Sequence, residues 1–272
     1  MSSVTPPPGP AQPSKQPSQR RPVALVTGPT SGLGRLFAQR LAARGYDLVL
    51  VARDEARLKG LADELGTSYG VDAEVLVADL VDRDQLRRVE DRLADEERPV
   101  DLLVNNAGFG LKRKFLSNTV EQEQAHLDIL VTAPMRLCHA VLGPMTRRHS
   151  GGIINVSSVA GLQPRGSYSA AKAYLNRFGE WAAHEYAKEG VHITTVLPGF
   201  TRTEFHERMD VKRDAVPKPL WLDAETVVDE ALADFDKGRA MSVPSKRYKV
   251  IAGVSRHLPT RVMQRFQGLG RK

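Results

Sequence analysis

Tyr168 stands four residues before Lys172 in the stretch GSYSAAKAYLNRF, Gly166 to Phe178. On a helix that spacing puts both side chains on one face. A phenol beside an ammonium can transfer a proton. Tyrosine by itself titrates near ~10, so a neighbouring cation must favour the phenolate before it can act as a base near neutrality. Bringing that value to ~7 requires about 4 kcal/mol of differential interaction. A Tyr and a Lys at this spacing also occur on many solvated helices. The pair therefore gains meaning only from the rest of the chain.

A second group of residues suits a phosphate. In PVALVTGPTSGLGRLFAQRLAARGYDLVLVAR, the apolar run VALVT reads as a buried parallel strand. A glycine-rich turn follows, then a helix with Leu36, Phe37 and Leu41 along one side, ended by Gly45. DLVLVA is a second buried strand, completing a βαβ unit. Gly28, Gly32 and Gly34 let the backbone approach a diphosphate, and the helix N-terminus favours anionic charge there. Ala52 ends the second strand where an acid commonly binds the ribose hydroxyls of NAD, and Arg53 comes next. Arg53 either pairs with a 2′-phosphate, which favours NADPH, or is a surface arginine paired with Asp54 or Glu55. Arg35 is placed to assist.

The elements that must hold these groups alternate along the chain. A helix over Glu55–Leu65 leads to the strand AEVLVA and Asp79; a helix over Arg83–Glu97 leads to VDLLVNNAGFG. GGIINVSS is a fifth strand, delivering Ser157 and Ser158. The Tyr168 helix runs to about Glu189, VHITTVLPGF is a sixth strand and loop, Glu225–Asp236 a helix, and RAMSVP a seventh strand. Such alternation implies an α/β fold, a three-layer doubly wound parallel sheet with right-handed crossovers. Ligands then sit at the carboxyl ends of the strands, where Gly28, Arg53, Asp79 and Asn105 to Gly108 converge.

Composition narrows the class. A chain of 272 residues with 41% hydrophobic content suits one soluble domain with a sizeable core. No apolar run reaches the ~18 residues of a membrane span, and the start lacks the apolar core of a signal peptide. Residues 1–21, rich in Pro, Ser and Gln, read as a disordered extension before a domain over 22–244. The single Cys138 excludes an internal disulfide and fits a reducing cytoplasm. Nothing resembles a metal-ligand cluster. The net charge of +7 belongs to the end: Lys237 to Lys272 holds ten Lys/Arg and no acid, leaving 29 basic against 32 acidic residues before it. That tail is either a solubilising end or a segment drawn to an anionic surface. With only Tyr248 and Phe266 as aromatics, it does not make a stacking platform for nucleic acid.

TGPTSGLG, NNAG, SS, YSAAK and PGFTRTE occur in an order and spacing that resemble the classical short-chain dehydrogenase/reductases, over about Val23 to Pro244. The resemblance implies a seven-stranded Rossmann-type domain, NADP(H) as cofactor with NAD less favoured, and a homodimer or homotetramer formed through long helices. It implies that Gly28, Ser31, Gly32, Leu33 and Gly34 hold the diphosphate, that Arg53 binds the 2′-phosphate and that Asp79 contacts adenine. Asn106, Ala107 and Gly108 would line the adenosine-ribose side, and Pro198, Gly199, Thr201 and Thr203 would border the nicotinamide. Tyr168 would be the general acid/base. Lys172 would bind the nicotinamide ribose and lower the Tyr168 pKa, and Ser158 would orient the substrate oxygen. The activity implied is hydride transfer between NADP(H) and a carbonyl or secondary alcohol.

Two departures stand out. Leu130, in HLDILVTAPMRL, occupies the place of an Asn that holds a relay water behind the lysine, and leucine has no polar atom to do so. The segment SVAGLQPRGSY, Ser158 to Tyr168, is a few residues shorter than the family norm, so that Ser157 or Ser167 could stand in for Ser158. Thr203–Leu222 corresponds to a variable substrate lid, with Phe205, Met209, Val216, Leu220 and Trp221 for an apolar substrate and His206, Arg208, Lys212 and Arg213 for an acidic one. Beyond Pro244, apolar residues among basic ones suggest an amphipathic helix, broken near Pro259, that docks on the body, on a second subunit or on an anionic bilayer. The alternative to an enzyme is a cofactor-binding scaffold with weak or no turnover.

Overall fold

All seven apolar runs are strands in the computed structural model, which describes residues 20–111, 115–204 and 216–257. They are β1 (Val23–Thr27), β2 (Asp47–Ala52), β3 (Ala73–Val77), β4 (Leu102–Asn105), β5 (Gly151–Val156), β6 (Val191–Val196) and β7 (Met241–Ser242). Every pairing is parallel, in the order β3-β2-β1-β4-β5-β6-β7. The order reverses between β1 and β4, which opens a crevice at their carboxyl ends.

Side chains alternate between two cores, as the strand period of two requires. Leu25, Leu103, Ile153 and Ile193 face one layer of helices: α3 (Arg83–Ala94), α5 (Ala133–Arg147) and α6 (Ser167–Glu185). Val26, Val104, Ile154 and Val196 face the other: α1 (Gly32–Ala43), α2 (Glu55–Tyr69) and α7 (Ala224–Asp236). The fold is thus a three-layer α/β/α sandwich, which is why the strands read as unbroken apolar runs. Between β4 and α5 lie the short helix α4 (Val120–Leu127) and a π-helical turn, Asp128–Thr132.

Helix ends differ from expectation where caps decide them. α2 runs past Leu65 to Tyr69, because Gly70 takes a left-handed φ of 66° and closes it. α3 stops at Ala94 rather than Glu97, since the Asp95 carboxylate accepts from the Glu97 and Arg98 amides. α6 ends at Glu185, and Ala187–Glu189 is a separate 3₁₀ turn. Asp54, Asp82, Thr119 and Asp223 cap α2, α3, α4 and α7 with their side chains, each worth about 1 kcal/mol. α1 and α6, the helices that begin beside the crevice, have no side-chain cap.

The last described helix, α8 (Lys246–His257), docks on the body, burying Tyr248 and Ala252. Glu230 of α7 accepts from the Ser245 amide at 3.2 Å and pairs with Lys249 at 3.4 Å. No described helix is long and apolar enough to cross a membrane. Residues 1–19 of the expected extension, Phe205 to Arg213 of the expected lid, and everything from residue 258, Pro259 and Phe266 included, lie outside the described residues.

Candidate active site

Two loops interlock at the crevice. Thr27 ends β1, and its hydroxyl oxygen accepts from the Asn106 and Ala107 amides, both at 3.0 Å. The Asn106 side-chain amide donates back to the carbonyls of Thr27 at 2.9 Å and Gly28 at 3.1 Å. A Cβ on Gly34 would overlap the Gly28 carbonyl and the Asn106 side chain, so this glycine serves the contact between the two loops. Gly32 has a φ of 55°, and its open side faces Thr203. Ser31 is the N-cap residue of α1, and Leu33 is half-buried in the first turn. That turn carries no acidic residue, so nothing there opposes an anion at the uncapped amides.

At the carboxyl ends of β2 and β3, the expected partners of Arg53 are engaged elsewhere. Asp54 caps α2 and Glu55 pairs with Lys59 at 2.8 Å. The Arg53 guanidinium, 71% exposed, instead faces the Asp79 carboxylate at 3.7 Å. Asp79 is itself fixed, accepting from the Val81 amide at 3.0 Å. Arg35 does not join them; it pairs with Glu64, and Gln39 holds the same carboxylate at 2.9 Å.

At the opposite end, Ser158, Tyr168 and Lys172 come together. The Ser158 hydroxyl is near enough to the Tyr168 phenol to lower its pKa. It also accepts from the Ala160 amide at 3.1 Å and lies 3.4 Å from the Pro198 carbonyl. The segment after Ser158 closes as a 3₁₀ turn, Val159–Leu162, with Ser158 as its N-cap. Ser157 is no substitute: its buried hydroxyl donates to the Lys172 carbonyl at 3.1 Å. Lys172, 6% exposed, sends its ammonium to the Val156 carbonyl at 2.8 Å, and Nζ lies 5.9 Å from the Tyr168 ring centroid.

Desolvation governs both titrations. Burial pushes the Tyr168 phenol up to about 12, opposed by the Ser158 hydroxyl, and pushes the Lys172 ammonium down to about 8. In this geometry the net shift of the phenol is upward, opposite to the lowering expected from Lys172, and burial is its main cause.

Pro198 to Thr203 border the same space. The Pro198 carbonyl accepts from the Val159 amide at 3.1 Å, and Thr201 Oγ1 donates to the Gly199 carbonyl at 3.1 Å. Thr201 forms a bridge with Leu222. Gly108 faces Leu130, whose Cδ2 lies 2.8 Å from where a Cβ on that glycine would stand.

Several residues of the site escaped the sequence reading. Thr27 is one. His126 of α4 is 1% exposed and lies between Phe109, tilted against it at 5.7 Å, and Tyr168, stacked on it at 6.0 Å between centroids. Asn155 is another; it hydrogen-bonds at 2.9 Å to Asn105, its register partner across β4 and β5, and both flank the Cys138 thiol, so that Asn105, expected at the ligand edge, turns its side chain into the core. Burial pushes that thiol up to about 12, so it is inert. Behind Lys172 a cavity of about 10 Å³ is lined by Leu130, Asn105 and Thr27 among apolar neighbours.

Residues 22–214 match the sequence profile of the short chain dehydrogenases. The chain belongs to that family. This short-chain dehydrogenase is similar in structure to one from Sphingobium yanoikuyae solved in complex with NADPH: 34% identity, TM-score 0.80, covering 86% of this chain and 93% of that one. A bulky-bulky ketone specific alcohol dehydrogenase from Comamonas testosteroni aligns at 30% identity and TM-score 0.74, over 88% of this chain and 95% of that one. Among curated relatives, the human inactive hydroxysteroid dehydrogenase-like protein 1 is 30% identical over 66% of this chain and 56% of its own length. The family is one of oxidoreductases.

Proposed function

We propose that this short-chain dehydrogenase interconverts a carbonyl and a secondary alcohol with NADP(H), using Tyr168 as general acid/base. The observation that carries the reading is the Lys172 ammonium, held by the Val156 carbonyl, 5.9 Å from the Tyr168 ring, with Ser158 beside the phenol at the carboxyl edge of a parallel sheet. The cofactor fits the residues present: α1 starts uncapped and without acid, Ala52 replaces an acid and Arg53 supplies an exposed cation. Gly28, Ser31, Gly32, Leu33 and Gly34 would hold the diphosphate, Arg53 the 2′-phosphate, and Asp79 the adenine. Asn106, Ala107 and Gly108 would line the ribose, and Pro198, Gly199, Thr201 and Thr203 the nicotinamide, with Lys172 on its ribose.

When bound, the dinucleotide gives or takes the hydride at the substrate carbon. Tyr168 holds the proton at its phenol oxygen. With the phenol up at about 12 it is protonated at neutral pH, the state that donates to a developing alkoxide in the reducing direction. Ser158 supplies a second hydrogen bond to the same oxygen. The likeness to a bulky-bulky ketone dehydrogenase supports large ketones as the first substrate class to try. Tyr174, Trp181 and Leu127 leave apolar surface exposed on α6 and α4, which supports assembly through these helices.

The test is NADPH oxidation against a panel of bulky ketones, with NADH in parallel. Tyr168→Phe should lose at least ~100-fold; equal turnover in that variant rejects the mechanism. Leu130 favours the second reading, a dinucleotide binder with little turnover, which predicts NADPH binding and no reaction across the panel.

A further inference from the structure

Tyr248 ties the described part of the tail to the loop that follows β6. Tyr248, on the first turn of α8, is 4% exposed. Its hydroxyl accepts from the Phe200 amide at 3.1 Å and donates to the Leu220 carbonyl at 2.8 Å. Those two groups belong to the two arms of one small structure. Leu222 N donates to the Phe200 carbonyl at 2.7 Å, Arg202 N donates back to the Leu222 carbonyl at 3.0 Å, and Thr201 bridges Leu222. Arg247 adds a hydrogen bond to the Pro219 carbonyl at 2.8 Å.

The ring acts separately from the hydroxyl. It lies where a side chain on Gly199 would be: a Cβ there would overlap Cζ, Cε1 and Cε2. The Pro198–Phe200 turn is therefore seated on the ring. One residue upstream, the Pro198 carbonyl meets the Ser158 hydroxyl and the Val159 amide. α8 also packs against the 3₁₀ turn that follows Ser158. Downstream, Thr203 meets the open side of Gly32 in the diphosphate turn. One tyrosine thus buttresses a loop that touches Ser158 at one end and the glycine turn at the other.

We infer that Tyr248 is a positioning residue for the active site: its hydroxyl fixes the Phe200–Thr203 arm against the cofactor and its ring sets the height of Pro198 under Ser158. The inference rests on the NADP(H) reading above. It makes the basic C-terminal segment, at least as far as α8, part of the site rather than a solubilising end.

The test separates the two parts in the full-length protein. NADPH affinity is read by fluorescence titration and turnover by ketone reduction. Tyr248→Phe keeps the ring and removes both hydrogen bonds; NADPH affinity should fall about 5- to 10-fold, as losing one or two such bonds implies, with kcat within about 2-fold. Tyr248→Ala removes the ring as well, and kcat should then fall at least 10-fold, with Tyr248→Phe standing as the conservative rescue. A core variant far from the loop, Val89→Ala in α3, controls for stability: at a matched loss of Tm it should leave NADPH affinity unchanged. Wild-type affinity in Tyr248→Phe, or the same weakening in Val89→Ala, overturns the inference while leaving the cofactor reading intact. Failure of the wild-type protein to bind NADPH overturns both.

Discussion

The imidazole of His126 lies against the phenol ring of Tyr168, with centroids 6.0 Å apart and planes 27° from parallel. Its Nε2 is buried without a hydrogen-bond partner among the described residues. Burial lowers the His126 pKa; Glu123 and a hydrogen bond with the Phe109 backbone raise it, and the Lys172 charge lowers it further. The folded value lies below that of the unfolded chain, near ~6.5, so the unfolded state takes up the proton first. Stability contributed by neutral His126 is present above ~6.5 and lost as pH falls. Urea midpoints measured from pH 8 to 5 should drop for the wild-type protein and drop less for His126→Met, which fills the slot without titrating. Parallel curves would assign the acid sensitivity to other groups.

Lys172 gives an alkaline counterpart. With its ammonium pushed down to about 8, it loses its charge within the range where Tyr168, up at about 12, is still protonated. NADPH affinity should weaken as pH rises through about 8, and Lys172→Arg should hold affinity to higher pH because a guanidinium stays charged. Stability moves the other way. The unfolded lysine keeps its proton to near ~10.4, so folding gains between about 8 and that value. Fluorescence titration and denaturation across this range separate the two effects; an affinity flat to pH 9.5 would count against an ammonium on the ribose.

Arg53 is expected to decide between the two dinucleotides. Its contact with Asp79 is long and its side chain exposed, so a phosphate can replace a carboxylate with little rearrangement. Charge-assisted hydrogen bonds of this kind contribute about 1.5–3 kcal/mol, which corresponds to about 10- to 150-fold. Arg53→Ala should raise the NADPH KM within that range and leave the NADH KM within about 2-fold. An equal effect on both would show that the guanidinium serves the fold.

Much of this was legible because buried parallel strands leave unbroken apolar runs, and because the glycine turn, NNAG and the Tyr–Lys helix are local in sequence. What stayed hidden is tertiary. The sequence places Arg53 and Asp79 at one edge but not as a pair; the near neighbours of Arg53 are claimed by the cap of α2 and by Lys59. Tyr248 sits among basic residues that read as a solvated tail, and only its seat against Gly199 shows its use. His126 falls on the face shared with Leu130, four residues on, which signals a buried position but not the stack on Tyr168. Thr27 looks like the last residue of a strand until the NNAG loop is seen hanging from its hydroxyl.

Leu130 decides between enzyme and binder. It is 1% exposed, within the π-helical turn, and forms part of the wall of the cavity behind Lys172. At about 10 Å³ that cavity is at the lower limit for one water, which also needs two or more polar partners. Leucine takes up room and offers no partner. Leu130→Asn should enlarge the space and add a donor and an acceptor beside Thr27, Asn105 and Lys172. Burying the amide should cost about 1–3 kcal/mol of stability. If proton delivery to Tyr168 limits turnover, kcat should nevertheless rise several-fold with NADPH affinity unchanged. Leu130→Ala supplies the comparison, since it opens the space without polarity. A gain in Asn alone identifies a relay that leucine suppresses. An equal gain in Ala assigns the effect to room rather than hydrogen bonding. Stability lost in both with no gain in either is the result that the binder reading requires, because a site without proton turnover has nothing for a relay to accelerate.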